Sequence, residues 1–486
     1  MERWNLEQTP RTTNEFEWVY NGLDCLVTYE VYKELINQLN SRPENVKRTY
    51  MDALAKQAPV MDMEMRGIRL DIIRKEKILR ELRNDLIRIQ AHFDKLCVEL
   101  IGYKINSRSP KQLKDLLYGH LKLPVQRAKS ANGLWVESTN RTAREKLTKY
   151  FHAIPFLTHL NVLADLNKQI SFLNTKIDED NRFRCSLNVA GTVTGRLSSA
   201  FSDFGTGSNL QNIDRRLRIP FVPDNGYIFL SIDLEQADSR NFGALAWNFF
   251  YQTHGEEFAG SYLNACEGGD LHTTVAQLCW PDLEWTNDVK YNKTKIASQL
   301  IYRQDSYRQV AKKNGHGTNY LSTPKTLAFA SDLPVQLVNV FQEKYFQAFP
   351  CIKATQERII NQLLRHPQLT TLFGRTRNFH DRVTNQNVQR EAVAFMGQSP
   401  TAHQIDIGFL QAWRRFPWIE LLIQVHDSIL MQIPKDKVDR VDEILEAMKV
   451  VLPLAGGRDF SVPLEAKLGM NWGDKSEDNP NGLTTI

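Results

Sequence analysis

Apolar residues recur at two different spacings along the chain, and each spacing predicts a different kind of element. Residues 45–100 keep a helical spacing, with Ile78, Leu82, Leu86 and Ile89 on one stripe of a strongly basic segment. This pattern predicts helix throughout 45–100.

The strand pattern appears in two places. Residues 185–240 alternate like strands with polar turns, and residues 270–370 return to a helical pattern. The segment IELLIQVHDSILMQIP (419–434) predicts two buried strands joined by a tight turn. Because the helical stretches are separated from an antiparallel sheet, the sequence predicts an α+β fold.

Two of the predicted strands lead into aspartates. Asp427 lies at the tip of the 419–434 hairpin, and Asp233 follows the apolar run YIFLSI, with Asp238 close behind. Aspartate is also a common turn former, so a solvated turn is the alternative explanation of Asp427. Two carboxylates at the ends of adjacent strands would hold two divalent cations and would suit phosphoryl or nucleotidyl transfer.

A third segment supplies positive charge. In YRQVAKKNGHGTNYL (307–321), Arg308, Lys312, His316 and Tyr320 follow one another at intervals of four. Such residues share one helix face, so two cations would face a triphosphate and two rings would face a sugar and base. An ordinary solvated cationic face is the alternative.

The loop GTVTGRLSSAFSDFGTGSNLQNI (191–213) is polar. Four of its side chains could contact donor and acceptor groups along a duplex, namely Arg196, Asn209, Gln211 and Asn212. The alternative is that the loop is purely structural.

Composition narrows the class of protein. The chain has 486 residues, 42% of them hydrophobic, and a net charge of +5 from 61 basic and 56 acidic side chains. We find no apolar run of about 20 residues and no secretory signal, so we expect a cytoplasmic protein. The six cysteines form no C-x-x-C pair, which argues against a zinc or disulfide framework. The basic, loop-rich stretch 101–135 could contact a phosphate backbone.

Taken in order, these segments resemble the family A DNA polymerases. The resemblance rests on TVTGRLSS with NLQNI, on SIDLEQADSR as motif A, on RQVAKKNGHGTNYL as motif B and on QVHDS as motif C. Weaker similarities are RGIRLD, SPKQL, TLFGRTR, REAVAFMGQ and PLEAKLGMNWG, so that the match spans residues 15 to 475.

The resemblance implies a right-hand fold with an antiparallel-sheet palm and largely helical fingers and thumb. The implied parts are an exonuclease-like remnant (1–40), a thumb and its base (41–190), palm (191–272), fingers (273–387) and palm again (388–486). It also implies a template-directed DNA polymerase of replication or repair, phage-like and monomeric. It would use primer–template DNA, dNTPs and two Mg²⁺ ions, with Mn²⁺ as a substitute. Processivity partners are left open.

The same resemblance assigns residues to roles. The implied catalytic residues are Asp233, Asp427 and Lys312, with Asp233 and Asp427 as the metal ligands. The implied nucleotide-binding residues are Arg308, Lys312, His316, Tyr320, Asp238 and Gln236. The implied DNA-binding residues are Arg196, Asn209, Gln211, Asn212, Arg240, Arg390, Gln398 and His426.

Four positions depart from the family pattern. Asp238 replaces a Glu that blocks a ribose 2′-hydroxyl, and His316 replaces an aromatic Phe or Tyr. Leu321 replaces the motif B glycine, and Ser428 replaces an auxiliary motif C Glu. The first two substitutions predict altered sugar selection.

The first residues resemble the last helix of a 3′–5′ exonuclease domain, with Tyr20 and Asp24 in its Tyr-x3-Asp motif. The earlier carboxylate motifs do not precede it, so we expect no proofreading. We also expect either a fragment of a polymerase or a natural polymerase without most of that domain.

Two rival functions stay open at this point. A single-subunit RNA polymerase would share the palm and a His-Asp-Ser motif, and extension assays with dNTPs and NTPs would separate it. A non-enzymatic nucleic-acid-binding protein would need neither Asp233 nor Asp427. A nucleoside-triphosphate hydrolase motor is disfavoured, because the sequence has no G-x4-G-K-[S/T] loop.

Overall fold

A computed structural model describes residues 12–130, 132–302 and 305–486. The helices are α1 (Thr13–Asn40), α2 (Glu44–Arg66), α3 (Ile72–Ile101), α4 (Pro110–Lys114), α5 (Arg141–Leu147), α6 (Ile154–Leu173), α7 (Ala237–Glu267), α8 (Leu271–Cys279), α9 (Val289–Tyr291), α10 (Tyr307–Asn319), α11 (Pro324–Ser331), α12 (Val335–Ala348), α13 (Pro350–Arg365), α14 (Gln386–Arg415) and α15 (Val441–Met448).

The strands are short except at the centre of the molecule. They are β1 (Ile68–Arg69), β2 (Arg127–Lys129), β3 (Trp135–Glu137), β4 (Arg182–Phe183), β5 (Ser186–Asn188), β6 (Ser198–Ala200), β7 (Tyr227–Leu234), β8 (Leu300–Tyr302), β9 (Asp305–Ser306), β10 (Gln368–Thr370), β11 (Thr376–Asn378), β12 (Glu420–Val425), β13 (Ser428–Pro434), β14 (Val451–Pro453), β15 (Asp459–Ser461), β16 (Leu464–Gly469) and β17 (Thr484–Thr485).

One five-stranded antiparallel sheet has the order β12-β13-β7-β16-β17, and the remaining strands pair two by two. Its inward side chains form the largest apolar core, together with α14 and α15. A second core joins α8, α10, α12 and α13, and a third joins α3, α4 and α6. Helices segregated around an antiparallel sheet confirm the predicted α+β class.

The cores do not follow the predicted domain limits everywhere. Residues 93–163 supply the third core, whereas both ends of the predicted thumb pack on the sheet. The first half of α14 packs with the second core and its second half with the sheet. The limits themselves stay a prediction, and within the first segment residues 1–11 lie outside the described residues.

The prediction of helix throughout 45–100 is wrong at residues 67–71. Gly67 ends α2 with φ of +60°, and a Cβ there would lie 2.5 Å from Cγ of Arg184. The chain then forms β1 against β4, and Asp71 caps α3 by accepting from the Arg74 N–H. A left-handed glycine followed by an N-cap residue breaks the helix in spite of the apolar spacing.

The stretch predicted to be loop-rich, 101–135, is more regular than expected. It holds α4, a π-helical turn (Asp115–His120) and the beginning of the β2–β3 hairpin. Of the polar turn Ser130–Gly133, residue 131 lies outside the described residues.

Helix α1 differs from the others, because none of its residues is buried. Large apolar side chains such as Trp18 (70% exposed) lie in solvent. Over the described parts of the chain, we find no helix long and apolar enough to cross a membrane.

Candidate active site

The hairpin of β12 and β13 places Asp427 beside Asp233. In the register of the sheet, Ser428 of β13 lies opposite Asp233 of β7, and the Leu234 N–H donates to the Asp427 carbonyl over 3.1 Å. His426 turns the chain with φ of +57°, a left-handed conformation that a non-glycine residue adopts at some cost. The structure therefore brings the two predicted carboxylates together at one edge of the sheet.

The two carboxylates have little internal compensation. Burial, followed by the charge of Asp427, raises the pKa of Asp233 to about 7. Burial also raises the pKa of Asp427, with Asp238 adding to the effect and Arg196 and His426 opposing it. Among the ion pairs of the described residues, none involves Asp233 or Asp427. Closely placed oxygen ligands with uncompensated charge are the donor set that Mg²⁺ prefers, so these residues fit a divalent cation.

A third carboxylate lies across the sheet. Glu465 of β16 is opposite Asp233, and its charge contributes to the raised pKa of Asp233. Glu465 is already engaged by Lys467 at 3.1 Å and by the Thr485 hydroxyl at 3.3 Å. We find no group of three His, Cys, Asp or Glu side chains arranged to hold a metal in the described part of the chain.

Two buried glutamines fix the hairpin tip. The Gln424 side-chain amide donates to the His426 carbonyl, and the Gln211 amide donates to the Gln424 carbonyl over 3.1 Å. Gln424 is 1% exposed and Gln211 9% exposed. Gln211, predicted to contact DNA, is buried and tied to the hairpin in this conformation.

Helix α10 lines a cavity of about 290 Å³ next to the carboxylates. Its N-terminus is capped by a box in which Ser306 and Gln309 bond each other's backbone. The cavity is lined by Gln236, Ala237, Asp238, Ser239, Tyr262, Leu271, His272, Val275, Ala311, Lys312, Gly315, His316, Tyr345 and Asp427. Lys312, His316, Asp238 and Gln236, all predicted to bind nucleotide, thus share one cavity with Asp427.

Arg308 does not stand free on that helix. It forms a two-point ion pair with Asp270 at 2.8 and 2.6 Å, and Asp270 also caps α8. These bonds and the Arg308 charge outweigh burial and hold the pKa of Asp270 far below its usual range. Beside them, burial lowers the pKa of His272 to about 4, so its ring is neutral at pH 7. The sequence pattern of α10 predicted neither partner.

Tyr320 ends the helix and turns inward. Its ring packs edge-on against Phe242 and His316, with centroid distances of 5.9 and 4.8 Å. Gly397 of α14 makes room for it, because a Cβ there would lie 2.5 Å from the Tyr320 hydroxyl. In this conformation Tyr320 packs against the cavity-lining His316 and is not itself one of the cavity-lining residues.

Asp238 is held from two sides. Its Oδ1 accepts a hydrogen bond from the Thr401 hydroxyl at 2.7 Å and lies 3.3 Å from Nη2 of Arg196. Arg196, predicted to contact DNA, therefore has an internal partner in this conformation.

The other predicted DNA contacts separate by exposure. Arg240 is 5% exposed, so its side chain is buried in this conformation. Asn209 uses its side chain to hold its own loop, accepting from the backbone N–H groups of Gln211 and Asn212. His426 and Asn212 are exposed, whereas Asn209, Arg390 and Gln398 are half-buried.

Tyr20 and Asp24 lie on the exposed helix α1. Several residues that shape the site were missed by sequence reasoning, namely Asp270, His272, Thr401 and Glu465. Asp270 is detectable as an Asp directly before a helix with a Thr three residues on. Thr401 has no local signal, since its partner Asp238 is distant in sequence.

Comparison with known proteins gives a consistent result. The family model described as DNA polymerase family A matches residues 76–474. The thermostable DNA polymerase I of Thermus aquaticus is 27% identical over 434 residues, covering 85% of this chain and 46% of the relative. DNA polymerase I of Helicobacter pylori is 25% identical over 476 residues, covering 93% and 46%. The chain thus spans about half the length of the curated relatives it matches.

A solved structure agrees in fold. The POL domain of Pol1 from M. smegmatis, in complex with DNA primer-template and dNTP, superimposes with a TM-score of 0.66 at 23% identity. The match covers 86% of this chain and 70% of that one. The likeness at this identity shows a shared fold, with the sheet, helical fingers and thumb of a polymerase hand.

Proposed function

Because the chain belongs to DNA polymerase family A, we propose that it extends the 3′ end of a primer on a DNA template, using dNTPs, in replication or repair. The observation that carries the proposal is the meeting of Asp233 and Asp427 beside a cavity lined by Lys312 and His316. A pair of carboxylates next to the cationic face of α10 suits a substrate whose reacting phosphate lies between them.

In the proposed reaction, Asp233 and Asp427 would hold two divalent cations, Mg²⁺ with Mn²⁺ as a substitute. Such cations supply Lewis-acid activation of the attacking oxygen and charge stabilisation of the leaving one. The chain's own part is to keep the two carboxylates rigid and partly shielded from water. Strand pairing on both sides of Asp233 and the clamped hairpin provide that rigidity.

The nucleotide would lie along α10. Lys312 is exposed toward the cavity and would neutralise phosphate charge, and His316 would contact the sugar or a phosphate oxygen. Arg308 would join them only by leaving or sharing its pair with Asp270. His426, exposed at the hairpin tip, would contact the primer end.

Primer extension with Mg²⁺ tests the proposal. Asp233→Asn and Asp427→Asn should each abolish extension while leaving duplex binding largely intact, because each removes a metal ligand and no DNA contact. Asp436→Asn changes an exposed carboxylate beyond the far end of β13 and serves as the matched control. Near-normal extension by either site variant would contradict the assignment.

We also propose that this chain does not proofread. Tyr20 and Asp24 lie on the exposed helix α1, and one carboxylate rarely holds two cations. A 3′-mismatched primer incubated with Mg²⁺ and no nucleotides should stay intact. Shortening that persists after repurification and disappears in Asp24→Ala would contradict this.

Sugar selection is proposed to depend on Asp238. Its side chain is one methylene shorter than that of Glu, which leaves space for a 2′-hydroxyl. One methylene changes the discrimination between two substrates by about 10–200-fold. We expect a preference for dNTPs that is weaker than a Glu would give. Asp238→Glu should raise the ratio of kcat/KM for dNTP over NTP, and an unchanged ratio would contradict the proposal. A chain that extends equally well with NTPs would favour the RNA polymerase alternative.

A further inference from the structure

Hydrogen bonds fix the orientation of the Asp238 carboxylate. Both of its donors, the Thr401 hydroxyl at 2.7 Å and the Arg196 guanidinium at 3.3 Å, reach the same oxygen, Oδ1. Asp238 lines the nucleotide cavity, whereas Thr401, on α14, does not. The hydrogen bond from Thr401 therefore draws the carboxylate toward α14 and away from the cavity.

The Thr401 hydroxyl is itself held in place. Its oxygen accepts from the Asn241 amide at 3.1 Å, and the same amide donates to Gln404 at 2.8 Å. Thr401 and Asn241 are 0% exposed and Gln404 is 2% exposed. Since a carboxylate only accepts, the Thr401 proton is directed to Asp238 while its lone pair receives the Asn241 donor.

A second possible partner of Asp238 is left unused. The Tyr320 hydroxyl is buried and makes no hydrogen bond with any described residue. Asp238 is close enough that its charge, after burial, contributes to raising the pKa of Tyr320. Asp238 is thus held by Thr401 and Arg196 although another buried donor lies nearby.

We propose that Thr401 is a positioning residue for sugar discrimination, which holds the Asp238 carboxylate on the α14 side and so leaves room for a ribose 2′-hydroxyl. The inference rests on the proposed polymerase function and deepens it. Loss of the Thr401 hydroxyl leaves Asp238 with the longer Arg196 contact alone, so that the carboxylate can turn toward the cavity and narrow the space at the sugar.

The test replaces Thr401 by Val, which keeps the shape of the side chain and removes the hydroxyl. The ratio of kcat/KM for dNTP over NTP should rise about three- to tenfold. The change should lie mainly in a higher KM for NTP. Thr401→Ser, which restores the hydroxyl, should return the ratio to the wild-type value.

Ser399 offers a matched control on the same helix. It is also 0% exposed, but its hydroxyl has no hydrogen-bond partner among the described residues. Ser399→Ala therefore removes a buried hydroxyl near Thr401 without touching Asp238, and its ratio should equal the wild-type ratio. Melting temperatures of all variants separate folding from selectivity, and Thr401→Ala replaces the valine variant if that one does not fold.

The action of Thr401 through Asp238 is tested in a second background. In Asp238→Ala, the further change Thr401→Val should leave the ratio unchanged. A ratio that stays constant or falls in Thr401→Val alone, or a valine effect that survives in Asp238→Ala, overturns the inference. Failure of the wild-type chain to extend a primer with dNTPs would overturn the proposed function instead, so the two failures are distinguishable.

Discussion

Asp233 is a carboxylate whose environment favours its neutral form. Its pKa of about 7 arises from burial and from Asp427, and the backbone and Lys467 offset only part of the effect. A cation would supply the charge that the surroundings lack, so metal binding and proton release should be linked at this residue.

This linkage predicts a pH-dependent metal affinity. Below pH 7 the metal-free Asp233 holds a proton that a cation must displace, so binding should weaken as pH falls from 8 through 7 to 6. The loss should approach about tenfold per pH unit below the pKa for one displaced proton. Electron paramagnetic resonance of free Mn²⁺ in titrations at pH 6, 7 and 8 measures it, and a constant affinity across this range would refute the prediction.

Lys312 and Arg308 share a helix face but not an environment. Lys312→Ala should raise the KM for dNTP, because a phosphate contact is lost, and should leave primer–template affinity and the melting temperature nearly unchanged. Arg308→Ala should also lower the melting temperature, since Asp270 is only 13% exposed and would keep only the longer contact with Lys293 at 3.7 Å. Steady-state kinetics, DNA binding and thermal unfolding check this. Weaker DNA binding with normal nucleotide kinetics would place both residues on the DNA backbone instead.

Residues are predictable from sequence when their roles depend on local spacing. The interval of four predicted a common face for Lys312 and His316, and both line one cavity. The Arg308–Asp270 pair was not predictable, because it depends on how α10 packs against α8. Thr401 was hidden for the same reason, since its partner Asp238 lies on another helix.

The β12–β13 hairpin is the element that determines where Asp427 lies. Its two-residue turn has no glycine, and His426 takes a left-handed φ of +57°. The Gln424 amide, which donates to the His426 carbonyl, supports this turn from inside the sheet. Alternation and length were enough to predict this element from sequence, whereas apolar spacing alone did not reveal the break at Gly67, which depends on the positive φ of that glycine and on the cap at Asp71.

Gln424→Met should loosen that turn. The substitution keeps the side-chain volume but removes the hydrogen-bond donor to the His426 carbonyl. The free energy of unfolding should fall by about 1–3 kcal/mol. We expect kcat for dNTP incorporation to fall more than KM rises, because Asp427 is displaced while α10 is untouched. The comparison variant is Gln432→Met, which changes another buried glutamine of the same hairpin, on β13 and away from the turn. Equal kinetic effects of the two changes would show that the loss is general and not specific to the turn.

At the scale of the whole molecule, a buried ionic cluster links α2 to α14, two helices that are distant in sequence. Lys56, 1% exposed, donates to Asp406 at 2.6 Å, and His403 lies 3.5 Å from Asp52 and packs on Phe373. Burial and nearby cations lower the pKa of His403 to about 4, so the ring is neutral at pH 7. The cluster attaches α2, at the base of the predicted thumb, to α14.

His403 should make the stability of the molecule depend on pH. Its pKa is lower in the folded state than the ordinary 6.5, so its contribution is complete above pH 6.5 and is lost as pH falls toward 4. The loss amounts to about 3 kcal/mol at most. Burial raises the pKa of Asp406 to about 6, which acts in the opposite direction, so the histidine effect must be isolated by mutation. Urea unfolding of wild type and His403→Gln between pH 7 and 4.5 should show the variant gaining relative stability as pH falls. Parallel curves would contradict the assignment.

Helix α1 contributes almost nothing to this cooperative unit. With no buried residue, it is held mainly by its own backbone hydrogen bonds. Its amide protons should exchange with deuterated water through local opening, while those at the centre of α14 should wait for unfolding of the whole hand. A deuterium-uptake map would therefore draw the edge of the folding unit near residue 44, where α2 begins.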